Sequence, residues 1–380
     1  IVLQSAYHNY CSHLFVDSYS NNHKRFWSFI KRLRKENSGV SSLRTESGVK
    51  ITSKSKADTL NQQFQSVFTK EDDNIPYVLP SNCPSTDNLT FSVDGIQKLL
   101  QELKHGKAPG PDNIPTWFLQ TCSAEVAPVL QVIFTQSLKT HMLPKDWLSA
   151  NITPIYKKGD RSSPVNYRPI SLTSVCCKIM EHIIFSFIMG HLERNNLLNP
   201  NQHGFRPNHS CQTQLILLAE DILKAMDLHY QVDLILLDFS KAFDTVPHKR
   251  LLTKLHYYGI YGPLHDWINA WLTGRYQKVI IEGESSREVK VDSGVPQGTV
   301  LGPLMFLIYI NDINCNMSSS CRLFADDCII YHAIKSKSDC QYLQNDLDLF
   351  SQWNNLWQMK VNINKCVIIH CSRSSTSQHS

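Results

Sequence analysis

Three aspartates of the sequence follow short apolar segments, and their spacing suggests a metal site. Asp326 and Asp327 lie within CRLFADDCIIY (321–331), which has the pattern of a β-hairpin with acids at its turn. Two neighbouring carboxylates at a half-buried turn repel each other and raise each other's pKa unless a cation compensates. Arg322 is the only adjacent cationic residue, so a metal ion is the natural candidate. The alternative is an Asp-Asp surface turn that binds nothing.

Asp238 follows the apolar run VDLILL (232–237), which has the pattern of a strand buried on both faces. An ionised carboxylate at the end of such a strand is costly unless it is paired or bound to a metal. Together with Asp326 and Asp327, it supplies the oxygen ligands that a pair of Mg²⁺ ions about 4 Å apart needs for phosphoryl or nucleotidyl transfer.

A Gly- and Pro-rich loop stands between these acidic segments in the sequence. SGVPQGTVLGP (293–303) leads into a predicted apolar helix over 304–313. Glycines in such a loop let the backbone approach a ligand closely, and the following helix N-terminus favours anions. This segment is therefore the third candidate part of one site.

Composition and charge are compatible with a globular protein that binds nucleic acid. The 380 residues are 42% hydrophobic, which allows one large domain or two to three ordinary ones. The formal net charge is +5, and the first 60 residues carry ten Lys or Arg against four Asp or Glu. This basic segment, with a helical pattern over 20–37, favours contact with a nucleic-acid backbone or else forms a solvated basic face.

Cysteine usage and hydropathy bear on the compartment. The twelve cysteines form no CxxC pair, and we find no secretory signal, so the sequence favours a reducing cytosol or nucleus over secretion. No apolar run reaches the roughly 18 residues of a membrane span, so no membrane association is expected.

Three segments taken in order resemble a known enzyme family. LDFSKAFD (237–244), SGVPQGTVLGP and FADD (324–327) are similar to motifs A, B and C of reverse transcriptases, in the form carried by non-LTR (LINE-type), jockey-like retrotransposons. Further resemblance covers nearly the whole chain, at KAPGPD (107–112), YRPISL (167–172), GFRP (204–207) and NINK (362–365).

The resemblance implies an α+β fold with the fingers and palm of a right-hand polymerase. The order of strands and helices after residue 230 favours a ferredoxin-like palm sheet, with helical fingers before it. We predict a basic N-terminal extension and linker at 1–88, fingers at 89–230, a palm at 231–371 and a disordered tail at 372–380. The chain begins with Ile1, and no thumb follows NINK, so it looks like a reverse transcriptase domain truncated at both ends.

The implied activity is RNA-directed DNA polymerisation, with an RNA template, a DNA primer and dNTPs as partners. Asp238 and Asp326 would bridge two Mg²⁺ ions, for which Mn²⁺ could substitute, and Asp327 would complete the carboxylate set. Lys365 resembles the motif D lysine that is proposed to protonate pyrophosphate.

The resemblance also implies contacts to nucleotide and template. Arg168 and either Lys157 or Lys158 would grip the triphosphate, and Phe243 would lie under the sugar and exclude a ribose 2′-hydroxyl. The remaining predicted contacts are Phe239, Gln297 and Gly298 to the nucleotide and Arg206 to the template. For the cations the alternatives are surface or loop residues, and for Phe243 a core position.

Two other functions remain open from the sequence. The chain could be an inactive or repurposed retroelement fragment that binds RNA without polymerising. An RNA-directed RNA polymerase shares the palm, but Phe243 and the FADD form argue against it.

Overall fold

The computed structural model describes residues 39–76 and 83–373. The predicted basic helix over 20–37, part of the predicted linker and the tail beyond residue 373 lie outside the described residues. Their predicted roles therefore stay predictions.

The described residues form helices and strands in alternating groups. The α-helices are α1 (Ser53–Gln65), α2 (Val93–Gln101), α3 (Thr116–Thr121), α4 (Ser123–Thr140), α5 (Lys145–Leu148), α6 (Val175–Arg194), α7 (Cys211–Asp227), α8 (Ala242–Thr245), α9 (His248–Tyr257), α10 (Pro263–Thr273), α11 (Leu301–Ile310) and α12 (Lys337–Leu356). The strands are β1 (Leu43–Thr45), β2 (Gly48–Lys50), β3 (Ser149–Tyr156), β4 (Tyr167–Leu172), β5 (Gln231–Leu237), β6 (Tyr276–Ile281), β7 (Glu284–Ser285), β8 (Val289–Lys290), β9 (Ser320–Phe324), β10 (Asp327–Ile334) and β11 (Val367–Cys371).

A four-stranded antiparallel sheet carries the acidic segments. Its strand order is β11-β5-β10-β9. Helices including α11 separate β5 from β9 along the chain, and α12 separates β10 from β11. This is the strand order of a ferredoxin-like βαββαβ unit, in agreement with the prediction for this part of the chain.

Strand β5 is buried on both faces of this sheet, as its apolar run predicts. Ile235 and Leu237 join the main hydrophobic core. Val232 and Leu234 pack on the other face with Leu218 of α7. Successive strand residues point to opposite faces, so packing on both sides fixes the position of β5. Asp238 comes directly after the last residue of this strand, and its position is fixed with it.

A second sheet combines strands from both predicted domains. Its order is β4-β3-β6-β7, with β8 also paired to β6, and β3 runs parallel to β6. The boundary predicted between residues 230 and 231 therefore does not separate two folding units, because β6 completes a sheet that β3 begins. Because β3 and β6 are far apart in the sequence, no local sequence pattern indicates that they pair.

Residues 39–76, which lie within the predicted N-terminal extension and linker, pack against this second sheet. These residues contain the β1–β2 hairpin and α1. Leu43 is fully buried, and Leu60 and Phe64 of α1 pack with it against Ile152 of β3. A few buried apolar residues thus outweigh the polar composition around them and join these residues to the sheet.

One described helix, α6, is long and apolar enough to cross a membrane by length and composition, and 61% of its apolar window is buried. Its buried side chains, among them Ile179, Ile184 and Ile188, pack in the main core.

Candidate active site

Pairing between β5 and β10 brings the acidic segments to one edge of the sheet. Leu237 lies opposite Cys328 in the register of these antiparallel strands. Asp238 and Asp327 are the next residues along each strand, so they occupy neighbouring positions at the same end of the ladder. Asp238 and Asp326 are half-buried, whereas Asp327 is exposed.

The FADD segment forms the predicted hairpin turn. Phe324 of β9 pairs with Asp327 of β10, which leaves Ala325 and Asp326 as the two turn residues. Ala325 has φ +54°, a left-handed conformation that two-residue hairpin turns favour and that is uncommon for residues other than Gly. The turn thus places Asp326 at its tip.

The carboxylates interact electrostatically. The pKa of Asp327 is raised, because surrounding protein partly displaces water from its carboxylate and because Asp326 and Asp238 add negative charge beside it. A set of hard carboxylate oxygens under mutual repulsion is the donor chemistry that Mg²⁺ and Mn²⁺ prefer. The side chains are not gathered into a finished site, since no three His, Cys, Asp or Glu of residues 39–76 and 83–373 form a group that could hold a metal ion. The donor set fits a divalent ion by its chemistry and charge.

Lys365 provides a positive partner for Asp238. Its Nζ donates to Asp238 Oδ2 over 2.7 Å, from the 3₁₀ turn Ile363–Lys365 that precedes β11. Both side chains remain partly exposed, at 43% and 33%. The predicted motif D lysine thus lies beside a predicted metal ligand.

A cation at the end of β3 acts on these carboxylates, and a second cation on β4 lies close to it. Arg168 lies on β4 opposite Ile155, and Lys157 follows the end of β3. The pKa of Lys157 is lowered, because its surroundings partly desolvate it and because Arg168 and Lys365 are positively charged, while Asp238 opposes the shift. The positive charge of Lys157 also opposes the rise in the pKa of Asp327. Lys157 and Lys158 are both exposed, and the charge interactions of Lys157 with Asp238 and Asp327 favour it among the two predicted alternatives.

The Gly- and Pro-rich loop is bonded to the segment that follows Asp238. The amide of Val295 donates to the Phe243 carbonyl over 2.7 Å, and Ser293 Oγ donates to the Asp244 carbonyl over 2.8 Å. The Gln297 side chain donates from Nε2 to Asp244 Oδ1 over 3.2 Å. These bonds make the loop and α8 one assembly.

The same loop also contacts the strand that carries Arg168. The carbonyl of Gln297 accepts from the Ser171 amide of β4 over 2.7 Å. Gly298 has φ +101°, and a Cβ there would lie 2.6 Å from the Ser171 carbonyl oxygen, so only glycine fits this close approach. The predicted nucleotide residues Gln297 and Gly298 are therefore held between α8 and β4.

A comparison with protein families decides the identity of this arrangement. Residues 155–379 match the family model described as reverse transcriptase (RNA-dependent DNA polymerase). The chain belongs to the reverse transcriptase family.

Similar curated proteins agree with the predicted jockey-like group. The probable RNA-directed DNA polymerase from transposon BS of Drosophila melanogaster is 30% identical over 291 residues, which are 72% of this chain and 31% of that protein. The RNA-directed DNA polymerase from mobile element jockey of Drosophila funebris is 28% identical over 387 residues, 96% of this chain and 41% of that protein. The chain thus spans between about a third and two-fifths of the length of these relatives.

The two phenylalanines predicted at the reverse transcriptase nucleotide site have different environments. Phe243 on α8 is half-buried and lines a cleft together with Pro169 and Gln297. Its ring stacks on Phe306 of α11 with centroids 4.4 Å apart. The Phe239 side chain is 5% exposed and packs in the core against Phe350, so a nucleotide contact through this side chain is wrong. Only the backbone of Phe239 remains available for one.

Arg206 is a structural residue, and its predicted contact with the template is wrong. Its side chain is 10% exposed and forms a bidentate ion pair with Glu193 of α6, with Nη2 3.1 Å from both carboxylate oxygens. Nη1 also donates to the carbonyls of Asn199 and Gln202. Because its donors are used within the protein, Arg206 fixes its loop to α6 instead.

Two residues of the site were not predicted from the sequence. Asp244, the last acid of LDFSKAFD, has its pKa raised to about 6, chiefly by burial, while Lys241, Gln297 and Arg168 oppose the shift. Gln202 contacts the backbone of the FADD turn. Position within a motif could have indicated Asp244, whereas the contact of Gln202 joins residues more than a hundred positions apart and has no local signal.

Proposed function

We propose that this chain is an RNA-directed DNA polymerase that catalyses attack of a primer 3′-hydroxyl on the α-phosphate of a dNTP, directed by an RNA template. The observation that carries this proposal is the approach of Asp238 to the Asp326–Asp327 turn at the end of the β5–β10 ladder, where Lys157 acts on both Asp238 and Asp327 and has Arg168 beside it. Membership in the reverse transcriptase family supports it.

Asp238, Asp326 and Asp327 would hold two divalent ions, for which we propose Mg²⁺, with Mn²⁺ as a substitute. Bound there, the ions would lower the pKa of the primer hydroxyl and offset the charge of the triphosphate. The carboxylates contribute the negative charge that holds and orients these cations. The raised pKa of Asp327 supports this role, because crowded negative charge is relieved when positive charge binds.

Lys157 and Arg168 would bind the triphosphate on the side away from the carboxylates. Crowding of Lys157 by Arg168 and Lys365 is unfavourable for these cations alone, and a polyanion between them would reverse that cost. Arg168 offers a planar fork of donors suited to phosphate oxygens. Lys365, beside Asp238, is within the same site and would supply the proton that leaves with pyrophosphate.

Phe243 and Gln297 would form the floor of the nucleotide site. Stacking on Phe306 and the backbone bond to Val295 hold the Phe243 ring in place. A fixed apolar ring beneath the sugar would exclude a 2′-hydroxyl by overlap and would offer it no hydrogen bond. This selectivity is the reason for proposing DNA rather than RNA synthesis. We propose fingers and palm as the names for the β3–β4 region and the β11-β5-β10-β9 sheet.

The test is primer extension by the purified chain on an RNA template annealed to a DNA primer, at high concentration of this duplex. Incorporation of dNTPs that requires both template and divalent metal is the expected result. RNA binding without any incorporation would instead support the repurposed fragment, and equal use of rNTPs and dNTPs would support the RNA polymerase.

A further inference from the structure

The loop before α7 lies directly against the FADD turn. Gln202 is buried, with only 3% of its surface exposed. Its Oε1 accepts the amide proton of Ala325 over 2.9 Å, and its Nε2 donates to the carbonyl of Ala325 over 3.2 Å. One side-chain amide therefore satisfies both backbone polar groups of the first turn residue.

Ala325 is a position where such support has a physical purpose. With φ +54° it adopts a left-handed conformation that is unfavourable for residues with a Cβ. Strained backbone of this kind persists only where surrounding structure holds it. The next two residues are Asp326 and Asp327, so a change in the Ala325 backbone would move both carboxylates.

The neighbouring backbone confirms how closely the two segments approach. Gly204 lies two residues after Gln202, and its amide donates to Gln202 Oε1 over 2.7 Å. A Cβ at Gly204 would lie 2.2 Å from the Ala325 nitrogen, which no side chain tolerates. The absence of a side chain at Gly204 thus lets the loop sit against the turn while its amide orients the Gln202 oxygen.

Backbone bonds anchor this loop to β9 and so fix Gln202 itself. The amide of His203 donates to the carbonyl of Leu323, and the amide of Leu323 donates to Asn201, each over 3.0 Å. On α7, Gln214 Nε2 donates to the carbonyls of Asn201 and Leu323. Two buried glutamines therefore act on the same hairpin, but only Gln202 reaches the turn residue that precedes the carboxylates.

We propose that Gln202 is a positioning residue for catalysis, which holds the Ala325 backbone so that Asp326 and Asp327 stay aligned with Asp238. This inference rests on the proposed polymerase function. Gln202 touches no reacting atom in this role, because its amide groups are used on Ala325 and Gly204. Its contribution lies in the geometry of the acidic turn.

The test compares Gln202→Met with the matched control Gln214→Met. Both remove a buried amide of the same size that contacts this hairpin, but only the first releases Ala325. Thermal unfolding, kcat and KM for dNTP, and hydrogen exchange of a peptide spanning the turn are measured for each. Gln202→Glu, which keeps the length and the acceptor oxygens, is the second variant in case Gln202→Met does not fold.

We expect Gln202→Met to lower kcat on the order of tenfold or more with little change in KM, since a loosened catalytic group costs rate more than binding. Amide exchange should rise at the turn in Gln202→Met and stay near the wild-type rate there in Gln214→Met. Gln202→Glu should also lower kcat, because it loses the donor to the Ala325 carbonyl and adds negative charge beside the acidic turn.

Equal losses of kcat in Gln202→Met and Gln214→Met would overturn the positioning role, as would a wild-type kcat in Gln202→Met. Unchanged exchange at the turn in Gln202→Met would overturn it whatever the activity. A wild-type chain that incorporates no nucleotide would instead contradict the proposed function, and the exchange measurement still tests the contact on its own.

Discussion

Lys365 Nζ lies 2.7 Å from Oδ2 of Asp238, and this ion pair joins the turn before β11 to the end of β5. The contact allows two roles for the lysine. As a counter-charge it would only balance Asp238, whereas as a proton donor it would also assist the departure of pyrophosphate.

Replacement of Lys365 by arginine separates these roles. Lys365→Arg keeps a positive charge beside Asp238, but a guanidinium does not release its proton in the working pH range. We expect kcat of Lys365→Arg to fall on the order of tenfold with little change in KM for dNTP. The kcat of Lys365→Met should fall at least as far. Single-turnover incorporation rates measure this. A wild-type rate in Lys365→Arg would leave Lys365 as a counter-charge alone.

Substitutions of two adjacent lysines test the predicted contacts with the triphosphate. Lys157→Ala removes a cation whose charge acts on Asp327 and which lies close to Arg168, whereas Lys158→Ala removes the neighbouring cation at the turn that follows β3. We expect KM for dNTP to rise on the order of tenfold in Lys157→Ala and Arg168→Ala and less than about twofold in Lys158→Ala. Steady-state kinetics at fixed primer-template give these values. Comparable rises for both lysines would remove the distinction between them.

In the proposed polymerase, the ring of Phe243 would select the sugar of the nucleotide. Phe243→Val opens space beneath the nucleotide sugar while Phe306 keeps the site wall apolar. We expect discrimination against rNTPs to fall by about two decades, with a smaller loss of dNTP incorporation, because overlap with the 2′-hydroxyl disappears. The ratio of kcat/KM for matched dNTP and rNTP pairs measures it. Unchanged discrimination would return Phe243 to a packing role.

The raised pKa of Asp244 predicts that nucleotide binding depends on pH. Burial chiefly raises its pKa to about 6, so the carboxylate that accepts from Gln297 is charged at neutral pH and is protonated as pH falls through 6. Loss of the charge weakens that hydrogen bond and frees Gln297. We expect KM for dNTP to rise below pH 6 in the wild type and to lose this step in Asp244→Asn.

Stability gives an independent check on the same group. A folded pKa above the unfolded value of 3.8 means that the folded state binds more protons between pH 3.8 and about 6, so stability falls as pH rises through this window. Asp244→Asn should therefore gain stability relative to the wild type as pH rises from 3.8 to 6. Parallel unfolding curves for the two proteins across that window would contradict the raised pKa.

Local patterns in the sequence were sufficient for the elements that carry the carboxylates. An apolar run predicts β5 because both of its faces are buried, and the short apolar segments on either side of the two acids of FADD predict the β9–β10 hairpin. The order of these elements then gives the ferredoxin-like sheet. Each of these features depends on residues that are close together in the chain or on a motif.

Contacts between distant segments could not be predicted in this way. The family resemblance implies a template contact for Arg206, yet its guanidinium is paired with Glu193 on α6. The parallel pairing of β3 with β6 contradicted the predicted domain boundary, and the buried Gln202 was overlooked. These contacts depend on how distant segments pack in the folded protein. The local pattern of a single sequence does not indicate them.

The most direct test of the polymerase proposal is the incorporation rate of Asp238→Asn. This change removes a ligand charge at nearly constant volume, so the fold should persist while the affinity for catalytic cations is lost. Asp233→Asn is the matched control, because Asp233 lies on the same strand but its carboxylate accepts from Gln231 and His370.

We expect Asp238→Asn to lower single-turnover dNTP incorporation by at least about a thousandfold, with unfolding temperature and primer-template binding close to the wild type. Asp233→Asn should incorporate within a few-fold of the wild-type rate on the same scale. Incorporation by Asp238→Asn within about tenfold of the wild type would contradict the assignment of these carboxylates as the catalytic centre.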